Sequence, residues 1–202
     1  MNFIIASLVG YVFGSVPFAL VIGKVFYNTD VREHGSKNLG ASNAGRVLGK
    51  KAAFTIAFLD TSKAAVAVWI AYMLYGQDVA IVAGIATSLG HCYPLFAKFK
   101  GGKAVSTAAG YLLALSALSG SAGWIIGLVP VVTFFGLLKL FKMVSLASIS
   151  AVTIATILLF ILQPNIWISL SFSLVAAIVI ARHHENIGRI MAGTERKIKW
   201  MG

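Results

Sequence analysis

Apolar residues run in seven long stretches along the chain, at 3–25, 52–75, 79–95, 105–118, 122–140, 144–162 and 166–181. A helix that crosses a bilayer needs about 20 apolar residues at a rise of about 1.5 Å each. The pattern therefore predicts an all-α integral membrane protein with seven transmembrane helices. The stretch 105–118 is short and either tilts or re-enters, so the count runs from five to seven. Charge placement favours seven. The links at 76–78, 119–121 and 163–165 hold no Lys or Arg. The alternate links, the span ends beside them and the tail hold every basic residue except Lys63, from Lys24, Arg32 and Lys37 through Lys139 and Lys142 to Arg196, Lys197 and Lys199. By the positive-inside rule that face is cytoplasmic, with the N-terminus outside and the C-terminus inside. The expected location is the bacterial cytoplasmic (inner) membrane, crossed many times by one domain over 1–202.

Composition narrows the class further. Of the 202 residues, 58% are hydrophobic and 11% charged, which excludes a disordered chain and leaves too few polar residues to coat a soluble globule. The formal net charge of +11 fits anionic lipid head groups or anionic substrates beside the cytoplasmic face. The one cysteine, Cys92, excludes an intrachain disulfide and a multi-thiolate metal site. Met1 opens directly into an apolar run without a basic stretch or a cleavage site, so the first segment reads as a retained span.

The links on the basic face carry the candidate chemistry, in segments 28–51, 98–104 and 182–202. The first runs from Arg32 to Arg46 and is rich in Gly, Ser and Asn. It is either a flexible loop or a concavity of backbone N–H groups that binds an anion, with Ser36, Asn43 and Arg46 as donors. In the second, Pro94 ends a span and Gly101-Gly102-Lys103 opens the next. A helix start with lysines on both sides suits a phosphate, but the spacing is not that of a Walker loop. In the third, His183, Asn186 and Arg189 recur every three residues, near one helical face. They offer a base, a neutral donor and a phosphate clamp, or else a basic helix lying on lipid. His183 and His184 are adjacent and point apart, which argues against a metal site. Inside the spans, Asp60 and Lys63 lie three apart, paired either for function or for helix packing.

Taken in order, these segments resemble one family. They are Gly35-Ser36-Lys37-Asn38-Leu39-Gly40-Ala41-Ser42-Asn43, then Gly90-His91 through Pro94 to Phe99-Lys100-Gly101-Gly102-Lys103, then Arg182-His183-x-x-Asn186-Ile187-x-Arg189 with Gly193 and Glu195. Ser15-x-Pro17 and Asp60-x-x-Lys63 look like family features too. The family is the bacterial acyl-phosphate-dependent glycerol-3-phosphate acyltransferases (PlsY), and the similarity covers essentially the whole chain. The resemblance implies a seven-helix acyltransferase of phospholipid biosynthesis. Such an enzyme moves a fatty acyl group from acyl phosphate to the 1-hydroxyl of glycerol 3-phosphate and releases lysophosphatidic acid and phosphate. It implies no cofactor and no metal. Its partners would be the two substrates, membrane lipid and a soluble enzyme that makes acyl phosphate, with no nucleic acid. Carried over by residue, it implies His183, Asn186 and Ser36 as catalytic. Ser36, Asn43, Arg46, Lys100, Gly101, Gly102, Lys103, Ser145 and Arg189 would bind substrate or phosphate, and Glu195 would support them. Four departures stand out. Lys37 replaces a usual Gly, Leu39 a frequent Pro, Ser42 a common Thr and Ser106 a common Ala. If that Gly needs a positive φ, Lys37 strains the loop.

The chemistry is consistent with that resemblance. Both substrates are phosphate anions, so their site must be cationic and rich in donors. Acyl phosphate is already activated, so no covalent Ser intermediate is needed, and no Gly-x-Ser-x-Gly elbow is present. The acceptor proton leaves to His183 or to a phosphate oxygen. Two other functions remain to be separated by experiment: a transporter of small phosphorylated anions, and a non-catalytic lipid-binding scaffold.

Overall fold

The computed structural model describes residues 1–198 and is helical, with no strand among them. Lys199 lies outside the described residues, as does the end of the expected 182–202 segment. The helices are α1 (Asn2–Gly14), α2 (Phe18–Tyr27), α3 (Ala41–Leu48), α4 (Lys50–Tyr75), α5 (Gln77–Cys92), α6 (Val105–Ala117), α7 (Gly123–Phe141), α8 (Val144–Leu162), α9 (Ile166–Arg182) and α10 (His184–Met191). The chain falls into two compact units, Met1–Tyr111 and Leu112 onward.

In the first unit the apolar run at the N-terminus is broken by Pro17, which has no N–H to continue α1. The Ser15 hydroxyl donates to the Tyr11 carbonyl (2.8 Å), which also accepts from the Ser15 backbone N–H (2.9 Å). The helix resumes at Phe18 and stops at Asn28, a left-handed residue at φ 48°. α1 packs tightly on α5 because glycine lines the crossing. A Cβ on Gly14 would overlap the Thr87 carbonyl oxygen, and one on Gly90 would overlap that of Tyr11. A buried apolar cluster of Ala19, Ile22, Val31, Leu39, Ala44, Ala52, Ile56 and Ala97 ties α2, α3 and α4 to the links before α3 and after α5. The polar links 28–40 and 93–104 are thereby seated on helices rather than left loose.

In the second unit α7 and α8 pack side by side, joined through Lys142 in the left-handed region at φ 58°. The Asn165 side chain caps α9 by accepting from the Trp167 N–H (3.0 Å). At His183 the chain bends by 58° into α10. The tail then returns to the α7–α8 turn, where Ile198 N–H donates to the Lys142 carbonyl (2.8 Å) and the Ile198 side chain is buried with Leu138 and Ala147.

Among the described residues, five helical segments are long and apolar enough to span a bilayer, and six if the bent α9–α10 pair is one span. Against the seven expected, the shortfall is α6. Its 13 residues make about 20 Å of helix, against a hydrocarbon core of about 30 Å.

Candidate active site

The link before α3 is held by its own side chains. The Asp30 carboxylate accepts from the Arg32 backbone N–H (3.0 Å) and from the Arg32 guanidinium at 2.9 and 2.6 Å, and Lys24 lies 3.4 Å away. The hydrogen bonds from Arg32 hold this carboxyl far below the usual range, against a smaller push upward from burial. Further along, Asn43 is fully buried, and its amide organises the segment. Its Oδ1 accepts from the Ser36 N–H (2.7 Å), and its Nδ2 donates to the carbonyls of Val31 (2.8 Å) and His34 (3.2 Å). Gly35 must be glycine, since it sits at φ 61° and a Cβ there would overlap Asn43 Oδ1. Lys37 also adopts a positive φ of 59°, so the departure noted in the sequence falls where a side chain is strained. Ser36 is exposed at the turn this amide builds, and Arg46 lies half-buried in the last turn of α3.

The Gly101-Gly102-Lys103 link is docked onto the end of α5. Gly101 N–H donates to the Cys92 carbonyl (3.1 Å) and Gly102 N–H to the His91 carbonyl (3.0 Å). Both glycines are needed for that approach. A Cβ on Gly101 would overlap the His91 carbonyl oxygen, and one on Gly102 would overlap His91 Nε2. Their N–H groups, expected to face a phosphate, are thus engaged with α5. What the link presents instead is the half-buried Lys103 and the start of α6. Lys98, Phe99 and Ala104 all hold positive φ, at 55°, 57° and 58°, so the link carries strain at three non-glycine residues. Ala97 belongs to the same apolar cluster as Val31, Leu39 and Ala44, which brings this link and the one before α3 onto one side of the first unit. Lys100 is exposed within it.

In the second unit the organising group is Glu195. Its Oε1 accepts from the Ser145 hydroxyl (2.8 Å) and from Asn186 Nδ2 (2.6 Å), and its Oε2 accepts from Arg189 Nε (2.8 Å). Arg189 also lies 3.6 Å from Glu185. Burial pushes the Glu195 carboxyl upward, but the hydrogen bonds from Asn186, Ser145 and Arg189 outweigh it and hold the group below its ordinary range. His183 stands at the α9–α10 bend with its ring buried, and its Nδ1 lies 2.7 Å from the Val179 carbonyl. A carbonyl only accepts, so Nδ1 carries a proton, and in the neutral ring Nε2 has the lone pair. That is the tautomer a general base needs. Ser145, Asn186 and Arg189, which the sequence singled out, are therefore gathered on Glu195, and His183 stands at the bend three residues before Asn186. Sequence reasoning gave Glu195 only a supporting part. Among the described residues no cluster of His, Cys, Asp or Glu is suited to a metal.

A sequence profile described as Glycerol-3-phosphate acyltransferase matches residues 4–193. The chain is 44% identical over 191 residues to a Glycerol-3-phosphate acyltransferase of Bacillus cereus (strain G9842), spanning 94% of this chain and 92% of that one. It is 41% identical over 210 aligned residues to a protein of the same name from Staphylococcus aureus (strain bovine RF122 / ET3-1), spanning 100% of both. Among solved structures it is similar to PlsY (YgiH), described as an integral membrane glycerol 3-phosphate acyltransferase. The glycerol 3-phosphate form superposes with a TM-score of 0.88 at 34% identity, covering 98% of this chain and 96% of that one. The lysphosphatidic acid form gives 0.88 at 33%, covering 100% and 97%.

Proposed function

Because the chain belongs to the glycerol-3-phosphate acyltransferase family, we propose that it moves a fatty acyl group from acyl phosphate to the 1-hydroxyl of glycerol 3-phosphate. The products are lysophosphatidic acid and inorganic phosphate. The observation that carries this reading is the whole-length likeness to a protein solved in a glycerol 3-phosphate form and a lysphosphatidic acid form.

The chemistry follows from groups already described. The hydroxyl oxygen attacks the acyl carbonyl carbon, and the bond from that carbon to the phosphate oxygen breaks. The electron pair leaves with phosphate, a good leaving group. The hydroxyl proton passes to His183 Nε2, whose lone pair is presented by the Nδ1–H bond to Val179. Asn186, oriented by Glu195, donates to the oxyanion that forms on the carbonyl. Ser36, in the turn built by Asn43, and Arg46 supply donors and charge for a phosphate in the first unit, as do Lys100 and Lys103. Arg189 has the same part in the second, and Ser145, whose one hydroxyl hydrogen is given to Glu195, acts by fixing that carboxylate. Asn43 acts by shaping the Ser36 turn, since both hydrogens of its amide are given to Val31 and His34. Gly101 and Gly102 act by letting the link seat on α5.

The same reading carries a topology. The basic links favour seven crossings, with α6 as a short, tilted one, the N-terminus outside and the C-terminus in the cytoplasm of a bacterial inner membrane. Acyl phosphate would come from a soluble enzyme working at that face.

The test is turnover by purified protein in detergent, supplied with palmitoyl phosphate and glycerol 3-phosphate. Lysophosphatidic acid and phosphate should form, and palmitoyl coenzyme A should not replace the donor. His183→Ala should lower kcat by roughly 10²–10⁴-fold. No product from acyl phosphate, with movement of glycerol 3-phosphate into sealed vesicles instead, would replace the enzyme with a transporter.

A further inference from the structure

A buried ionisable cluster in the first unit has no part in the chemistry above. Asp60 and Lys63 face the same side of α4, and His91 faces them from the last turn of α5. They are 1%, 7% and 6% exposed. Lys63 Nζ lies 2.7 Å from Asp60 Oδ1 and 3.2 Å from His91 Nδ1, and it donates to the Val16 carbonyl (2.8 Å). That carbonyl sits at the break before Pro17, where it accepts from Phe18 N–H (3.2 Å) as well as from the lysine, and Leu20 N–H turns to the Pro17 carbonyl. The ammonium also lies 5.5 Å from the centre of the Phe18 ring. A charge at membrane depth is costly unless it is paired, and this one is paired on several sides.

Mutual neutralisation would need only Asp60 and Lys63. The third member points elsewhere. An ammonium has donors and no acceptor, so in the neutral ring His91 Nδ1 accepts from Lys63 and the ring proton sits on Nε2, with Asp60 Oδ1 3.5 Å from the same Nδ1. Nε2 is the atom that a Cβ on Gly102 would overlap, and the His91 carbonyl accepts from Gly102 N–H at 3.0 Å. His91 therefore meets the glycine link with its ring and its backbone together.

We propose that His91 is a positioning residue: Lys63 and Asp60 fix its ring against Gly102, and the ring sets the backbone from which Lys103 reaches a phosphate. This deepens the reading of the 101–103 link as a phosphate grip and rests on it.

The experiment measures inorganic phosphate as a product inhibitor, with KM and kcat per folded protein, in purified variants. Lys103→Ala is the control for the grip itself and should raise the phosphate inhibition constant. His91→Phe, which keeps a ring without a donor, and Lys63→Met should raise that constant and KM about tenfold, with kcat much less changed. His91→Gln, which restores an N–H near the Nε2 position, should recover most of the loss. Gly102→Ala should raise the constant in the parent and much less in a His91→Ala background, where the space for its Cβ is open. This pair also serves where His91→Phe or Lys63→Met fails to fold. Unchanged KM and inhibition constants, equal effects of Gln and Phe, or additive Gly102 and His91 effects would overturn the positioning role. A flat response to Lys103→Ala would overturn the phosphate grip and the positioning role together.

Discussion

Glu195 gathers side chains from 50, 9 and 6 residues away, at Ser145, Asn186 and Arg189. Its depressed carboxyl makes the arrangement sensitive to acid in a definite direction. A group whose pKa is lower when folded adds stability above its ordinary pKa, and that stability is lost as pH falls through the folded value. Thermal unfolding of the parent should thus be flat near neutrality and lose stability below about pH 4.5, the ordinary range of a glutamate. Glu195→Gln should already be less stable at neutral pH, by about 1–3 kcal/mol, because an amide has one acceptor oxygen and its NH2 meets either Arg189 or Asn186 as donor against donor. It should also show a shallower acid limb. Lys37 gives the opposite kind of prediction. Its φ of 59° suits glycine, so Lys37→Gly should stabilise the protein by about 1 kcal/mol, read as a rise in unfolding temperature. A fall would mean that the lysine side chain makes a contact worth more than the backbone strain.

Among the elements, the α1–α5 crossing depends on the absence of side chains. Gly14→Ala would force a Cβ against the Thr87 carbonyl, backbone against backbone, and should cost about 1–3 kcal/mol or more of stability. Helix content at low temperature should change little. An unfolding midpoint equal to the parent's would show that the crossing can shift to accept a methyl group. This is also the scale at which sequence and structure part company. The apolar runs were legible because a bilayer imposes one length and one composition on a span, and the expected stretches 144–162 and 166–181 match α8 and α9 within a residue. The polar links were legible as places, since Ser36, Arg46, Lys103, His183 and Asn186 all lie in or beside them. Their pairings were not. The bond from Ser145 to Glu195 spans 50 residues and exists only because the tail returns to α8. Asn43 reads as a donor for substrate until Val31, His34 and Ser36 are seen to occupy it. His91 was legible as part of the Gly90-His91 motif at the end of a span, but its pairing was not, because its partner Lys63 is on another helix.

For the whole molecule, the proposal is that bilayer-embedded helices carry cationic, donor-rich links on which an acyl group passes by carbonyl attack from an acyl phosphate, a mixed anhydride, to the hydroxyl of a phosphate ester. The most direct measurement uses acyl phosphate with oxygen-18 in the oxygen that joins carbon to phosphorus, with glycerol 3-phosphate in excess. Attack at the carbonyl carbon breaks the bond from that carbon to the labelled oxygen. The label should therefore appear in inorganic phosphate, one for each lysophosphatidic acid formed, with none in the lipid. Label retained in free fatty acid, or labelled phosphate released without lysophosphatidic acid, would contradict direct acyl transfer to the glycerol hydroxyl.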